Sequence, residues 1–398
     1  MFLIKKIKTF RMYVFLSAQK KELMNLSFKS IFQTTIIVFV LLSANQLFAK
    51  APKLTSKELS VAPARIIRTC CGFGVEIGIA GVPFAKKTDI TSREIMGTHT
   101  YMGGRTEQNG IIYTRRGGFL DMGHLRDCAD WTAYLYNLIK ASQTDPYYRH
   151  IELRNEGGAK SLDLYVPNEL NEEQIISLAG KISFDLSMWH EISTWFGASY
   201  VPLIPEKFSS FSPEDMYSNL MGVHLGMRAI KNNLDYDSAM TVELSNMLDS
   251  LESVDTEDET YNAMLKVNEV WYTNQKKYPN KKVVLKRYIE FGSDLIPWLV
   301  PGYESRLQPY ILQKPAESLS QYYKLSLKLN FRFPVDSVIP ENIDRIITQN
   351  DFDKFVRFIQ TEINHEEVLT EEKHLIKEEK TIHKNAKKKE KSENKNNR

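Results

Sequence analysis

Of the eight histidines in this 398-residue sequence, two stand beside carboxylates on segments with helical spacing. Asp121 and His124 are three apart in Gly118-Phe119-Leu120-Asp121-Met122-Gly123-His124-Leu125-Arg126-Asp127, so on a helix their side chains share a face. His190 and Glu191 are adjacent within Trp189-His190-Glu191-Ile192-Ser193-Thr194, and an acidic pair, Glu214-Asp215, opens a third segment that carries His224 further on. Imidazole and carboxylate donors from three helices suit a divalent cation such as zinc or manganese. A cation held with an open position activates water for hydrolysis. In that arrangement His124 and His190 are metal ligands and Asp121 is a ligand or the orienter of His124. Glu191 is a ligand or the catalytic base that takes the water proton.

Plainer readings compete with each of these. His190-Glu191 begins the zincin pattern, but Thr194 stands where that pattern needs its second histidine. Glu214-Asp215 behind Ser212-Pro213 also matches an ordinary helix start, with a Ser cap, Pro first, and acids at the positive end. Asp121 can likewise cap its helix, His124 and His190 can be hydrogen-bonded core residues, and His224 reads as structural. A thiol–imidazole pair is the second constellation. Cys71 before Gly72, with His99, suits a nucleophile and base of a cysteine hydrolase or acyltransferase. Against it stands a disulfide from Cys70 or Cys71 to Cys128. Arg115, Arg116 and Arg126, near the first segment, can bind an anionic group of a substrate or pair with neighbouring acids.

The elements that must position these residues follow from periodicity. Asp121 to Ile139 has apolar residues at helical spacing, and Asn171 to Phe196 has them over a longer run that opens with a capping-box spacing, Asn171 to Gln174. Beside His190, the small hydroxyl-bearing Ser183, Ser187 and Thr194 allow another helix to come close. A helix runs from Ser212-Pro213 to about Lys231, and others are expected over 238–251, 260–277, 285–291 and 351–363. Short β-prone runs occupy 75–79, 97–102 and 111–114. A hairpin pairs 150–154 with 162–166 around Asn155-Glu156-Gly157-Gly158, and 324–333 alternates as a half-buried strand. The expected fold is α+β: one mainly helical domain over 50–364, with a small mixed sheet near its N-terminal half and a hairpin. The charged tail, 365–398, is too polar to bury a core and is expected to be disordered.

With 42% hydrophobic and 25% charged residues the composition is globular, which excludes collagen-like, wholly disordered and polytopic membrane classes. A net charge of +3 is too small to suggest a nucleic-acid partner. The start reads as a signal peptide over 1–49: basic residues Lys5 to Lys29, an apolar core Ile36 to Leu42, and Ala49 placed for cleavage before Lys50. Met24 offers an alternative start, and an uncleaved anchor is the other reading, though the core is shorter than the ~20 residues of a span. The mature protein is therefore expected in the periplasm or secreted, without a transmembrane domain. Its lysine-rich end could bind an anionic envelope polymer.

In type and order, Arg68-Thr69-Cys70-Cys71, His99-Thr100-Tyr101, Asn109 to Tyr113, Gly117 to Arg126, His190 to Gly197 and Ser212 to Asn219 resemble an uncharacterised family of exported bacterial proteins. That family is catalogued as a domain of unknown function (DUF4056). The resemblance spans about Ala64 to Ile363 and omits the tail. It implies an envelope location and supplies neither an activity nor a catalytic residue. The residues themselves favour a metal-dependent hydrolase of the cell envelope. A Cys-His hydrolase or acyltransferase and a non-catalytic envelope-binding or structural protein are the alternatives.

Overall fold

Three helices carry the candidate residues, and what lies between them is small. The computed structural model describes residues 51–68, 72–86, 88–144, 148–197 and 206–369, together with 372 and 380. The expected signal peptide, Cys70, Cys71 and most of the charged tail lie outside the described residues.

In chain order, α1 (Ser56–Ser60) precedes a hairpin of β1 (Gly78–Ile79) and β2 (Val82–Lys86). A second hairpin, β3 (Ile111–Thr114) with β4 (Gly118–Asp121), runs directly into α2 (Met122–Thr144). Strands β5 (Tyr148–Leu153) and β6 (Gly158–Tyr165) then lead to α3 (Glu172–Trp195), α4 (Asp215–Lys231), α5 (Tyr236–Ser250) and α6 (Glu257–Lys266). The remaining elements are β7 (Asp294–Leu295), β8 (Leu312–Gln313), β9 (Tyr323–Leu329), α7 (Val335–Val338), β10 (Ile346–Thr348) and α8 (352–369).

Helix α3 begins where the sequence places it. Asn171 and Gln174 close a reciprocal capping box, each side chain taking the other's backbone amide at 2.9 Å. Nearly every residue from Ile175 to Trp195 is buried, which makes α3 the central helix. Helix α4 lies against α2 backbone to backbone. A Cβ at Gly222 would stand 2.0 Å from the Leu125 carbonyl oxygen, and one at Gly226 would stand 2.8 Å from that of Ala129. Ser218, one turn earlier, accepts the Asp121 amide at 2.9 Å. Ser183 donates to the Cys128 carbonyl at 3.0 Å, so the small strip on α3 does bring α2 close.

The four-stranded sheet has the order β10-β9-β6-β5. Leu162 pairs with Ile151 on one side and Leu325 on the other, and Leu327 pairs with Ile347. These leucines and isoleucines share one buried core with α2, α3 and α4. A smaller aromatic core gathers Phe73, Tyr113, Phe119, Trp271, Tyr272 and Tyr278 around β3 and α6.

The α+β class holds, with several corrections inside it. All pairs of named strands are antiparallel, so the sheet is not mixed, and it joins 148–165 from the N-terminal half to 323–348 from the C-terminal half. No strand forms over 97–102, because the Arg126 guanidinium takes the carbonyls of Met96, Gly97 and Thr98. Nor does a helix form over 285–291: the amides of Leu285 and Lys286 bond to Trp271, and that of Tyr288 bonds to Phe211. Helix α6 starts early, at a Thr256–Glu259 capping box, and stops at Lys266, after which Trp271 and Tyr272 turn into the aromatic core. Among the described residues, no helix is long and apolar enough to cross a membrane.

Candidate metal centre

Asp121 closes β4 and caps α2. Its Oδ1 accepts the amides of Gly123 at 2.7 Å and His124 at 3.1 Å, as the capping reading requires. Its second oxygen stands 3.5 Å from His124 Nδ1, and Asp215 Oδ1 stands 3.2 Å from that same nitrogen. Two carboxylates from different elements thus flank one side of the His124 ring.

His190 has its own carboxylate. Its Nδ1 is 2.7 Å from Glu156 Oε1, and the other Glu156 oxygen takes the Lys160 ammonium at 2.5 Å. The indole N–H of Trp189 donates to the Glu156 carbonyl at 2.9 Å and so fixes the turn against α3. With both Nδ1 atoms facing carboxylates, a cation would take Nε2 of each ring.

The two rings lie 6.2 Å apart between centroids. Ligand atoms of His124, His190 and Glu191, all buried, come within 4.8 Å of one another, so these three residues could hold a metal ion. Glu191 Oε2 accepts the Phe211 amide at 2.7 Å, while Oε1 is buried without a hydrogen bond. The place of the missing zincin histidine is also explained. Thr194 bonds to the carbonyls of His190 and Glu191 within α3, and the second imidazole arrives from α2.

Electrostatics fit a cation. Burial holds His190 below its ordinary value despite Glu156, so the ring is neutral, as a ligand must be. Burial alone would raise Glu156, but Lys160 and His190 outweigh it and keep it ionised well below the carboxylate range. Glu191 is pushed up to about 8 by burial and then by Asp215. Glu214 is raised well above its ordinary value by burial and by Asp215 and Asp121, against which its own amide and Ser212 act. It occupies the N-cap position of α4 without capping it, and neither of its buried oxygens makes a hydrogen bond. Asp215 Oδ2 accepts both the amide and the hydroxyl of Ser212 at 2.9 Å. The acidic pair is therefore turned inward, and Ser212 serves Asp215 rather than the helix amides.

A family assignment can be set beside this geometry. The family model for a protein of unknown function, DUF4056, matches residues 58–301, well over half of the chain. This chain belongs to that family. The matched span contains Asp121, His124, Glu156, His190, Glu191, Glu214 and Asp215, so the whole cluster falls within the shared domain. No curated protein and no solved structure matches the chain.

The other sequence-derived candidates lie elsewhere. His99 is buried with Nε2 2.9 Å from Asp130 and Nδ1 3.6 Å from Glu107. Those acids belong to an ion network in which Arg68 binds Glu107, Asp127 and Asp130. Cys71, the thiol expected beside His99, lies outside the described residues. Cys128 is a free, buried thiol that donates to Asn219 at 3.1 Å and receives Arg65 at 3.4 Å, so the expected disulfide is not formed there. The three arginines do not converge. Arg115 faces Glu259, Arg116 donates to the carbonyls of Ser250 and Gln308, and buried Arg126 meets Glu107 at 3.0 Å. His224 bonds the Gln313 carbonyl, as a structural residue would.

Sequence reasoning passed over Glu156 and Lys160. The one available signal was the phase of Lys160, which shares the buried face of β6 with Leu162 and Leu164. A charge in that phase needs a buried partner.

Proposed function

We propose that this protein is a metal-dependent hydrolase, exported to the periplasm, in which His124, His190 and Glu191 hold the catalytic cation. The observation that carries this reading is the convergence of ligand atoms of three buried residues within 4.8 Å. Two imidazoles and a carboxylate form a set that leaves a coordination position for water or substrate. A zinc or manganese ion bound there would supply a polarised water and a Lewis acid. The residues of the chain do the rest. Glu156 orients His190, Asp215 and Asp121 orient His124, and the Phe211 amide holds one oxygen of Glu191. Glu191 acts in this arrangement as a ligand rather than as the base. The alternative thiol mechanism has less support, because Asp130 and Glu107 already face both nitrogens of His99.

Export rests on the basic, then apolar, then small-residue order of positions 1–49. The substrate would then be an envelope component. The test is to strip the protein of metal, reload it with zinc or manganese, and assay ester, amide and phosphoester probes. Hydrolysis that needs the metal and disappears in Glu191→Gln is expected. Equal activity with and without metal would refute the reading.

A further inference from the structure

We propose that Lys207 and Arg287, gathered on the Trp195 ring beside the metal centre, form a subsite for an oxyanion, so that the substrate of the centre carries a phosphate or carboxylate group. The substrate class rests on the reading that His124, His190 and Glu191 hold a catalytic cation; the subsite itself does not. Trp195 stands one turn beyond Glu191 on α3, on the same face. The Lys207 ammonium lies 3.8 Å from the centroid of its ring and the Arg287 guanidinium 5.3 Å from it. Arg287 donates to the carbonyls of Ser210 and Lys281. Ser210 in turn donates its hydroxyl to the Glu191 carbonyl at 2.7 Å, and the next amide, of Phe211, holds Glu191 Oε2 at 2.7 Å. The cations are therefore joined by direct contacts to the helix turn and the loop that position a metal ligand.

Two positive side chains on one indole repel each other, and the face of the ring offsets only part of that cost. In this structure an anion from the chain itself supplies more. Glu362 of α8 accepts the Trp195 indole N–H on Oε2 at 2.7 Å, and the Lys207 ammonium stands 3.8 Å from the same oxygen. One turn on, Glu366 pairs with Lys281. Lys207, Lys281 and Arg287 thus meet two carboxylates, and one positive charge is left over. Burial holds Lys207 below its ordinary value and brings Arg287 down to about 10, although carboxylates oppose the shift in both. A further anion would relieve both. The Glu362 side chain is 39% exposed and that of Lys207 25%, so theirs is a surface pair, and such pairs hold weakly. A substrate oxyanion can take the place of Glu362 Oε2, with the indole N–H and the ammonium as donors and the guanidinium as a further positive charge.

The test uses the full mature chain, stripped of metal with a chelator and titrated with inorganic phosphate in a calorimeter. Glu362→Gln, which removes the internal anion, should bind phosphate about fivefold tighter than the wild type. Lys207→Met should bind it about fivefold more weakly than the wild type. The same phosphate affinity in the wild type and Lys207→Met would overturn the subsite, whether or not Glu362→Gln folds. Zinc uptake, measured separately, tells the two claims apart. Protein that binds phosphate in the expected pattern but takes up no zinc keeps the subsite and loses the substrate class with the metal centre. Zinc uptake without that pattern does the reverse: it leaves the centre standing and overturns the subsite.

Discussion

His190 is oriented through a chain of contacts that begins on the sheet: Lys160 holds Glu156, and Glu156 holds the Nδ1 side of the ring. Partners of this kind typically contribute 10- to 100-fold in metal affinity. Glu156→Gln should therefore weaken zinc binding by about that factor in a chelator competition. Because the substitution also strands a buried ammonium, Glu156→Gln with Lys160→Met is the control. The double variant should regain stability without regaining affinity, whereas recovery of both would show that Glu156 acts only through the fold. Glu191 gives a pH signature. Its pKa is raised from 4.5 to about 8, so its contribution to stability is complete below 4.5 and is lost as pH rises through about 8. Metal-free protein should lose melting temperature across that window, and Glu191→Gln should reduce the slope. Parallel slopes for the two proteins would contradict the assignment. Asp121 and His124 were legible in the sequence because a three-residue spacing fixes a shared helix face. Glu156 was not, since only the hairpin register and the Trp189 contact bring a turn residue to α3.

At the scale of elements, the site exists because α2 and α4 touch along Ser218, Gly222 and Gly226. That contact sets the distance from His124 to Asp215. Gly222→Ala would push a methyl into the Leu125 carbonyl, a backbone atom with no rotamer to yield. The cost should fall at the upper end of about 1–3 kcal/mol, measured by denaturant unfolding. A loss of affinity for the metal should accompany it, and an unchanged protein on both measures would mean that the helices do not need this closeness. The three bearing helices could be read in advance, since caps and apolar stripes are local. Segments 97–102 and 285–291 could not. Their backbone partners, Arg126, Trp271 and Phe211, lie far away in sequence and win over local propensity.

The described residues form a helical frame with acids and imidazoles in its interior and an antiparallel sheet on which Lys160 faces inward. Such a polar interior is costly to bury unless opposite charges offset it, as Lys160 does for Glu156 and as a bound ion would do for the cluster at His124 and His190. Export belongs to this scale as well. Protein taken from its native envelope should begin at Lys50, and N-terminal sequencing that finds Ile36 to Leu42 still attached would contradict that expectation. The most direct test of the metal centre is the zinc content of untagged protein, wild type against His124→Ala and His190→Ala, with melting temperatures recorded alongside. Bound zinc in the wild type and its loss in both variants, with the fold retained, is the expected result. Zinc content unchanged by either substitution, with stability lowered by the roughly 1–3 kcal/mol of a broken buried hydrogen bond, would make both histidines structural and refute the centre.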